Sequence, residues 1–335
     1  MTLTIGSILI KRYRMIRLLG EGSYGAVYLA EDTRLNRQVA IKEASGGKQE
    51  DRQRATEEAI VMAALDHPNL VKVLDTFSEN SNTYVVMQFI DGHDLMKEAE
   101  LAVNLGRPLP TDRVLLWIEQ VCSALAYLHK QDIVHRDVKP NNMRLRQDGT
   151  VVLIDLGIAK RGVSTKTGRL QKAFTPMFAP PEQCTPNGST TYASDVYALG
   201  MTMYVLLTAQ MPPTALERTG DPPAVPGLPL VHPTLFNPAI PPVLERIILK
   251  ATALSSTMRY KDAGEMMTEL QTLKATGAWN GNAAGAPAIG VPNNAVATAG
   301  YVSKFCSRCG KRNTSHARFC TACGFQLARP QVFMA

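Results

Sequence analysis

His135, Arg136, Asp137, Lys139, Asn141 and Asn142 crowd into the stretch IVHRDVKPNNMRL, between apolar flanks. Isolated charges cannot be buried without partners, so a polar cluster between Ile/Val and Met/Leu runs predicts a loop held by buried strands and turned to a ligand. A second set lies upstream, where Gly20, Gly22 and Gly25 punctuate LGEGSYGAVYLA between two strand-like runs. Glycines let backbone approach phosphate and aim amide N–H groups at it, while Val27, just past the turn, is placed to cover an apolar base. Alone, this need be no more than a hairpin. Lys42 follows in VAIK, in a strand with Ala40 and Ile41.

A helical stretch at about 50–65 supplies carboxylates that could hold such a lysine. Glu58 shares a face with Val61, Met62 and Leu65 at spacings of three, four and seven, so it should point inward and require a cationic partner. Glu57, whose face carries Ile60, Val61 and Ala64, is the rival, and periodicity does not choose between them. Near the other end, FCSRCGKRNTSHARFCTACGF holds two CxxCG knuckles, Cys306/Cys309 and Cys320/Cys323. Four thiolates at this spacing suit tetrahedral zinc, with Gly310 and Gly324 relieving crowding in each turn. A site with four protein ligands has no open position and is structural, and so small a module owes its fold to the metal. His316 reads as a bystander.

The elements that must position these groups fall into two regions. Residues 13 to about 100 alternate short β-rich runs (RYRMIRLLG, GAVYLAED, QVAIKEA, LVKVLDTFSE, TYVVMQFI) with the single helical stretch, which predicts a mostly antiparallel sheet with one helix. From 111 onward the segments 111–130, 195–209, 241–254 and 261–274 carry apolar spacings of three and four, the pattern of a helical lobe. Residues 275–303 are uncharged and rich in Ala, Gly, Asn and Pro, which predicts a linker that as a flexible coil would span on the order of 30 Å.

The formal charge of +7 does not spread over the chain: residues 301–335 hold six basic groups and no acid, leaving 30 basic against 29 acidic in the first 300. A hydrophobic fraction of 45% is that of a globular protein with a substantial core. No run approaches the roughly 20 apolar residues of a membrane span, and TLTIGSILI is too short, with its charges after it, so a cytoplasmic chain without a membrane partner is expected. Cys122 sits on the apolar stripe Val114, Leu115, Ile118, Val121, Leu125 and Leu128 and reads as a small hydrophobe.

Taken in order, the GxGxxG hairpin, VAIK, an acid nine residues before HPNLV, HRDVKPNN, DLG, PPE, SDVYALG and Arg259 give residues 13–274 a clear resemblance to eukaryotic-like Ser/Thr protein kinases of the kind bacteria also have. The resemblance implies an α+β, bilobal kinase fold with a β-rich N-lobe and a helical C-lobe, and the spacing to His67 selects Glu58. Residues 304–327 resemble a small zinc ribbon. Implied cofactors are ATP, Mg2+ or Mn2+, and structural Zn2+.

By this resemblance Asp137 orients the substrate hydroxyl and accepts its proton, Lys139 meets the transferred phosphate, and Asn142 and Asp155 hold the metal. Lys42, steadied by Glu58, binds the α- and β-phosphates. Adenine lies under Val27 and Ala40, with Met87 as gatekeeper and backbone groups of Gln88 and Ile90 facing the base. Asp195 braces the catalytic loop, Arg259 pairs with Glu182, and Thr175 marks Ser/Thr specificity. Arg136 senses a phosphate on Ser164, Thr165 or Thr167. Departures are Leu156 for Phe, an apolar swap that should keep the packing role; Phe174 for Gly and Pro180 for Ala or Ser, which bear on substrate docking more than on chemistry; and Tyr197 for Trp and Ser256 for Pro, with Asp195 and the Arg259–Glu182 pairing retained.

The reading that follows is a kinase acting on protein Ser/Thr hydroxyls. Its rivals are a catalytically inactive scaffold of the same fold, a small-molecule phosphotransferase, and a nucleic-acid-binding protein led by its ribbon. The filled catalytic set argues against the first and third; Lys139, Thr175, PPE and Arg259 favour a protein acceptor over the second. For the ribbon, a protein partner is favoured over nucleic acid, because bound thiolates offset part of its basic charge and only Phe305, Phe319 and Phe325 offer stacking rings.

Overall fold

The computed structural model describes residues 3–22, 25–44, 56, 59–80, 82–155, 160–161, 176–185, 188–220, 227–277, 303–305, 312–314 and 318. Its first strands are β1 (Ile8–Leu9), β2 (Tyr13–Gly22), β3 (Gly25–Asp32), β4 (Arg37–Ala44), β5 (Val73–Glu79) and β6 (Asn82–Gln88). They form one antiparallel sheet in the order β1-β2-β3-β4-β6-β5, and residues 59–63 are helical.

Strand side chains alternate between faces, which divides the sheet's work. Tyr28, Ala30, Val39, Ile41, Tyr84 and Val86 pack on one face into a core with Leu9, Tyr13 and Met15. Their sequence neighbours Val27, Ala40, Lys42 and Met87 stand on the other, where Val27 lies opposite Lys42 and Ala40 opposite Met87.

The helical lobe follows with β7 (His93–Asp94), α1 (Leu95–Leu105), α2 (Thr111–Lys130), β8 (Ile133–Val134), β9 (Met143–Leu145), β10 (Val151–Leu153) and β11 (Lys160–Arg161). Then come α3 (Pro181–Cys184), α4 (Tyr192–Thr208), α5 (Ala215–Thr219), α6 (Pro233–Phe236), α7 (Pro242–Ala251) and α8 (Ala263–Ala275). The stripe predicted for α2 is buried along its length, Cys122 included, and desolvation pushes that thiol's pKa up. Helix α4 is buried from Ala193 to Thr208 and forms the axis of the lobe. The four predicted helices are α2, α4, α7 and α8; α4 begins at Tyr192, three residues early, and α7 ends at Ala251, three residues short.

Two devices tie the lobes together. The segment before β5 hooks onto β10, with Val71 N–H donating to the Leu153 carbonyl (3.0 Å) and Leu153 N–H to that of Asn69 (2.8 Å). The Asn69 carboxamide donates to Gln120 Oε1 (2.9 Å) and the Val151 carbonyl (2.8 Å), fixing that hook to α2. Beyond the helices, β12 (Ser303–Phe305) and β13 (Arg312–Thr314) pair antiparallel, with Ser303 opposite Thr314 and Phe305 opposite Arg312.

Candidate active site

The polar cluster of the opening stretch is the connection from β8 to β9, and its shape is set from behind by Asp195 of α4. That carboxylate accepts the N–H of His135 (Oδ2, 2.8 Å) and of Arg136 (Oδ1, 2.8 Å), and it lies 3.0 Å from Nε2 of His129 at the end of α2. Burial alone would push its pKa up; the hydrogen bond and charge of His129, the charge of His135 and the backbone N–H hold it below the usual carboxylate range. Gln183 Nε2 donates to the Arg136 carbonyl at 2.6 Å. Arg136 and Asp155 adopt left-handed backbone, φ 69° and 61°. Such conformations cost about 1–3 kcal/mol each at non-glycine residues and persist where surroundings enforce them, as at functional sites.

Within this frame Asp137, Lys139 and Asn142 converge. Lys139 Nζ lies 2.9 Å from Asp137 Oδ1 and 2.7 Å from Oδ2. Asn142 Nδ2 donates to both the Asp137 carbonyl and its Oδ2, each at 2.8 Å, which fixes the carboxylate's orientation. The Asn142 carbonyl accepts the N–H of Ile154 (2.8 Å), which carries the chain to Asp155. Lys42 reaches down from β4 to form an ion pair with Asp155. Burial raises the Asp155 pKa, but Lys42, first by its charge and then by its hydrogen bond, with Lys139 and His135 behind it, brings the carboxyl below its ordinary value.

The cleft has a roof and a floor. Val27, Ala40 and Lys42 line the roof. The glycine hairpin closes through the pair Gly22/Gly25, and a register shift between Leu18 and Gly20 bends β2 above it. Met87 packs against a small apolar group of Val71, Ile90 and Val152 with Ile154 beside them. The Gln88 N–H donates to the Lys72 carbonyl at 2.9 Å, so that amide already has a partner.

The floor contains a residue that the sequence reading overlooked. In β9, Met143 and Leu145 point into the helical core, so Arg144 between them points the opposite way, opposite Val152 of the Met87 group. Its guanidinium donates to the Gly92 carbonyl, and burial lowers its pKa against the opposing pull of Asp94 and Asp91. Gly92 itself has φ 148°, and a Cβ there would meet the Leu145 carbonyl oxygen at 2.1 Å, so only glycine fits. The period-two alternation in MRL was the available signal.

The predicted brace between Glu182 and Arg259 is present as a two-pronged ion pair, Nη1 to Oε1 at 2.7 Å and Nη2 to Oε2 at 3.1 Å. The Arg259 side chain is buried and also caps the carbonyls of Ala253, Leu254 and Ala193. Tyr197 lies beneath that guanidinium, 4.8 Å from ring centre to Cζ. Pro180 precedes α3 and Ser256 opens a short 3-10 turn. Glu57, Glu58, Leu156, Phe174, Thr175, Ser164, Thr165, Thr167, Cys306, Cys309, Cys320 and Cys323 lie outside the described residues.

The protein kinase domain family matches residues 13–221, and a zinc-ribbon domain family matches residues 305–327. Helices past 221 belong to the same fold unit, since Leu244, Ile248 and Leu270 share the core of α2 and α4. The chain is 36% identical over 280 residues to a Lactococcus lactis protein named probable serine/threonine-protein kinase PknB, covering 80% of this chain and 43% of that protein. It is 34% identical over 274 residues to serine/threonine-protein kinase PrkC of Bacillus subtilis, covering 80% of this chain and 41% of the relative. This chain therefore spans less than half the length of these relatives. In fold it is similar to the crystal structure of the kinase domain of Mycobacterium tuberculosis PknI, with a TM-score of 0.60 at 24% identity over 82% of this chain and 100% of that one.

Proposed function

The chain belongs to the protein kinase family, and from that premise we propose that it is a serine/threonine kinase moving the γ-phosphoryl of ATP to Ser/Thr hydroxyls of proteins, itself included. The observation that carries this reading is the convergence of two distant stretches: Lys42 paired with Asp155 across the lobes, beside an Asp137 carboxylate aimed by Asn142 and flanked by Lys139.

Phosphoryl transfer passes through a loose transition state, so the protein's task is placement and charge neutralisation. Asp137, held by two hydrogen bonds from Asn142, would orient the acceptor hydroxyl and take its proton as the new O–P bond forms and the bond to the β-phosphate oxygen breaks. Lys139, within 3 Å of that carboxylate, would neutralise the transferred group. Lys42 would hold the departing phosphates, with Val27 and Ala40 over the base, Met87 behind it, and the Ile90 amide and Gln88 carbonyl at its edge. Glu58 is assigned to steady Lys42.

Kinase membership implies use of a divalent cation, and the donor chemistry fits a hard one. Asp155 is held ionised, and Asn142, whose amide nitrogen is committed to Asp137, has its Oδ1 left for a cation such as Mg2+ or Mn2+. Such an ion, held by Asp155 and Asn142, would offset the negative charge of the nucleotide phosphates. In the tail, Cys306, Cys309, Cys320 and Cys323 are assigned to a structural Zn2+, supported by the zinc-ribbon family match over residues 305–327.

The test is transfer of phosphate from ATP and Mg2+ to the chain itself and to a generic protein acceptor. Wild type should label both, with Ser164, Thr165 or Thr167 among the modified residues. Asp137→Asn should slow turnover by about 10^2- to 10^4-fold, the usual worth of a positioned general base. Equal labelling by that variant, or no labelling by a wild type that cannot bind nucleotide, would overturn the reading.

A further inference from the structure

We propose that the C-terminal zinc ribbon docks back onto its own helical lobe, on the apolar end face from which its tether departs. The fold defines that face. Helix α8 runs antiparallel to α2, since the N–H of Ala263 at its start meets His129 (3.2 Å) while Lys274 near its end pairs with Glu119 (2.8 Å). It also runs antiparallel to α7, with Lys250 against Glu265 and Arg246 against Glu269, both at 3.2 Å. The last turn of α4 joins the same end, because its Leu206 carbonyl takes the N–H of Leu109, just before α2, and its Leu207 carbonyl takes the Asn237 side chain, just after α6. The start of α2, the end of α4, helix α6, the start of α7 and the end of α8 therefore lie toward one end of the lobe, and the chain leaves α8 at that end through Gly277.

Large apolar side chains stand uncovered around that exit. Leu235 and Phe236 of α6 are 70% and 40% exposed, Leu116 of α2 is 51% exposed, and Leu105 at the end of α1 is 57% exposed. Leu116 lies one helical turn from Glu119, the residue Lys274 grips. The sequence from 222 to 244, which includes α6, contains no Asp, Glu, Lys or Arg, so this strip has no charges to hold it in water. Clusters of this kind mark interaction sites more often than plain surface.

Chain length and composition select the occupant. Residues 278–302 separate Gly277 from the ribbon, and a coil of that length and composition has a root-mean-square span of roughly 25–30 Å. Tethering at that span raises the ribbon's local concentration to about the millimolar range, so even a weak apolar contact is occupied. The ribbon brings Phe305, Phe319 and Phe325, a high aromatic share for so short a module. The catalytic loop lies at the opposite end of the 20-residue α2, about 30 Å away, so a ribbon seated here leaves the cleft open.

A photo-crosslinking residue replacing Leu235 in the full-length chain tests this, with wild-type-like thermal unfolding confirming the fold. Illumination of mixed isotopically light and heavy chains should capture peptides from 304–327 of the same chain. Adding Leu116→Glu should reduce that capture about tenfold, the effect of losing one apolar anchor at an interface. Capture of the other isotope would assign the face to a second copy and overturn the proposal. Absence of ribbon peptides, or capture insensitive to Leu116→Glu, would overturn it as well.

Discussion

Asp195 illustrates how much one buried side chain decides at the residue scale. Its two oxygens satisfy two backbone N–H groups and face His129, at 1% exposure. Asp195→Ala would leave those donors buried and unpaired, and we expect a loss of about 3–5 kcal/mol, read as a lower denaturant midpoint at unchanged slope. Because the folded carboxyl titrates below its unfolded value, its contribution is complete above the unfolded pKa of about 4 and fades as pH falls through the folded one. Unfolding midpoints measured from pH 6 down to pH 2 should fall less steeply below pH 4 in Asp195→Asn than in wild type.

Arg144 makes a different case, since it stands opposite Val152 of the Met87 group, on the side of β9 that faces the site proposed for the base, with its guanidinium on the Gly92 carbonyl. Arg144→Leu should raise the KM for ATP about three- to tenfold with kcat nearly unchanged, the size expected for losing a cation–π contact in a partly desolvated site. An unchanged KM would remove Arg144 from the binding surface. The catalytic loop was legible because its residues are neighbours in sequence and their types have no place in a core. Arg144 was not, because a three-residue strand shows its facing only once its neighbours Met143 and Leu145 are known to be buried.

At the scale of elements, periodicity reported helices well and short strands poorly. Helix α2 carries its core stripe in sequence, whereas β7 to β11 are two or three residues long and exist because tertiary neighbours supply their partners. Helix α4 shows where packing overrides propensity. Gly200 sits in its middle, where glycine costs a helix about 1 kcal/mol relative to alanine. Yet a Cβ there would lie 2.8 Å from Cβ of Ala251 and 2.9 Å from Cγ2 of Thr252, at the end of α7. Neither neighbour is the far end of a flexible chain, so overpacking of about 1–3 kcal/mol should outweigh the helical gain. Gly200→Ala should therefore lower the melting temperature; an increase would mean that α4 and α7 can separate without cost.

At the scale of the whole molecule, the division into a sheet lobe, a helical lobe and a basic tail was legible because composition changes sharply at each boundary. What joins the lobes was less so: the hook of residues 69–71 onto β10 relies on backbone carbonyls and one carboxamide, which leave no pattern in a sequence. The tail follows another logic, since a module of some twenty residues cannot bury enough surface to fold unaided and must draw its stability from a ligand. A tail held by its own metal ligands folds by a route the lobes do not share, so its fold and theirs should be separable. Native mass spectrometry of the full chain should accordingly show one bound zinc, and Cys320→Ser should abolish it and expose residues 304–327 to protease. The same substitution should move the main unfolding transition by no more than about 2–4 °C, equivalent to about 1 kcal/mol for a domain of this size. Collapse of both transitions together would mean that the lobes depend on the metal, and persistence of a protease-resistant tail without it would mean that the cysteines are not its ligands.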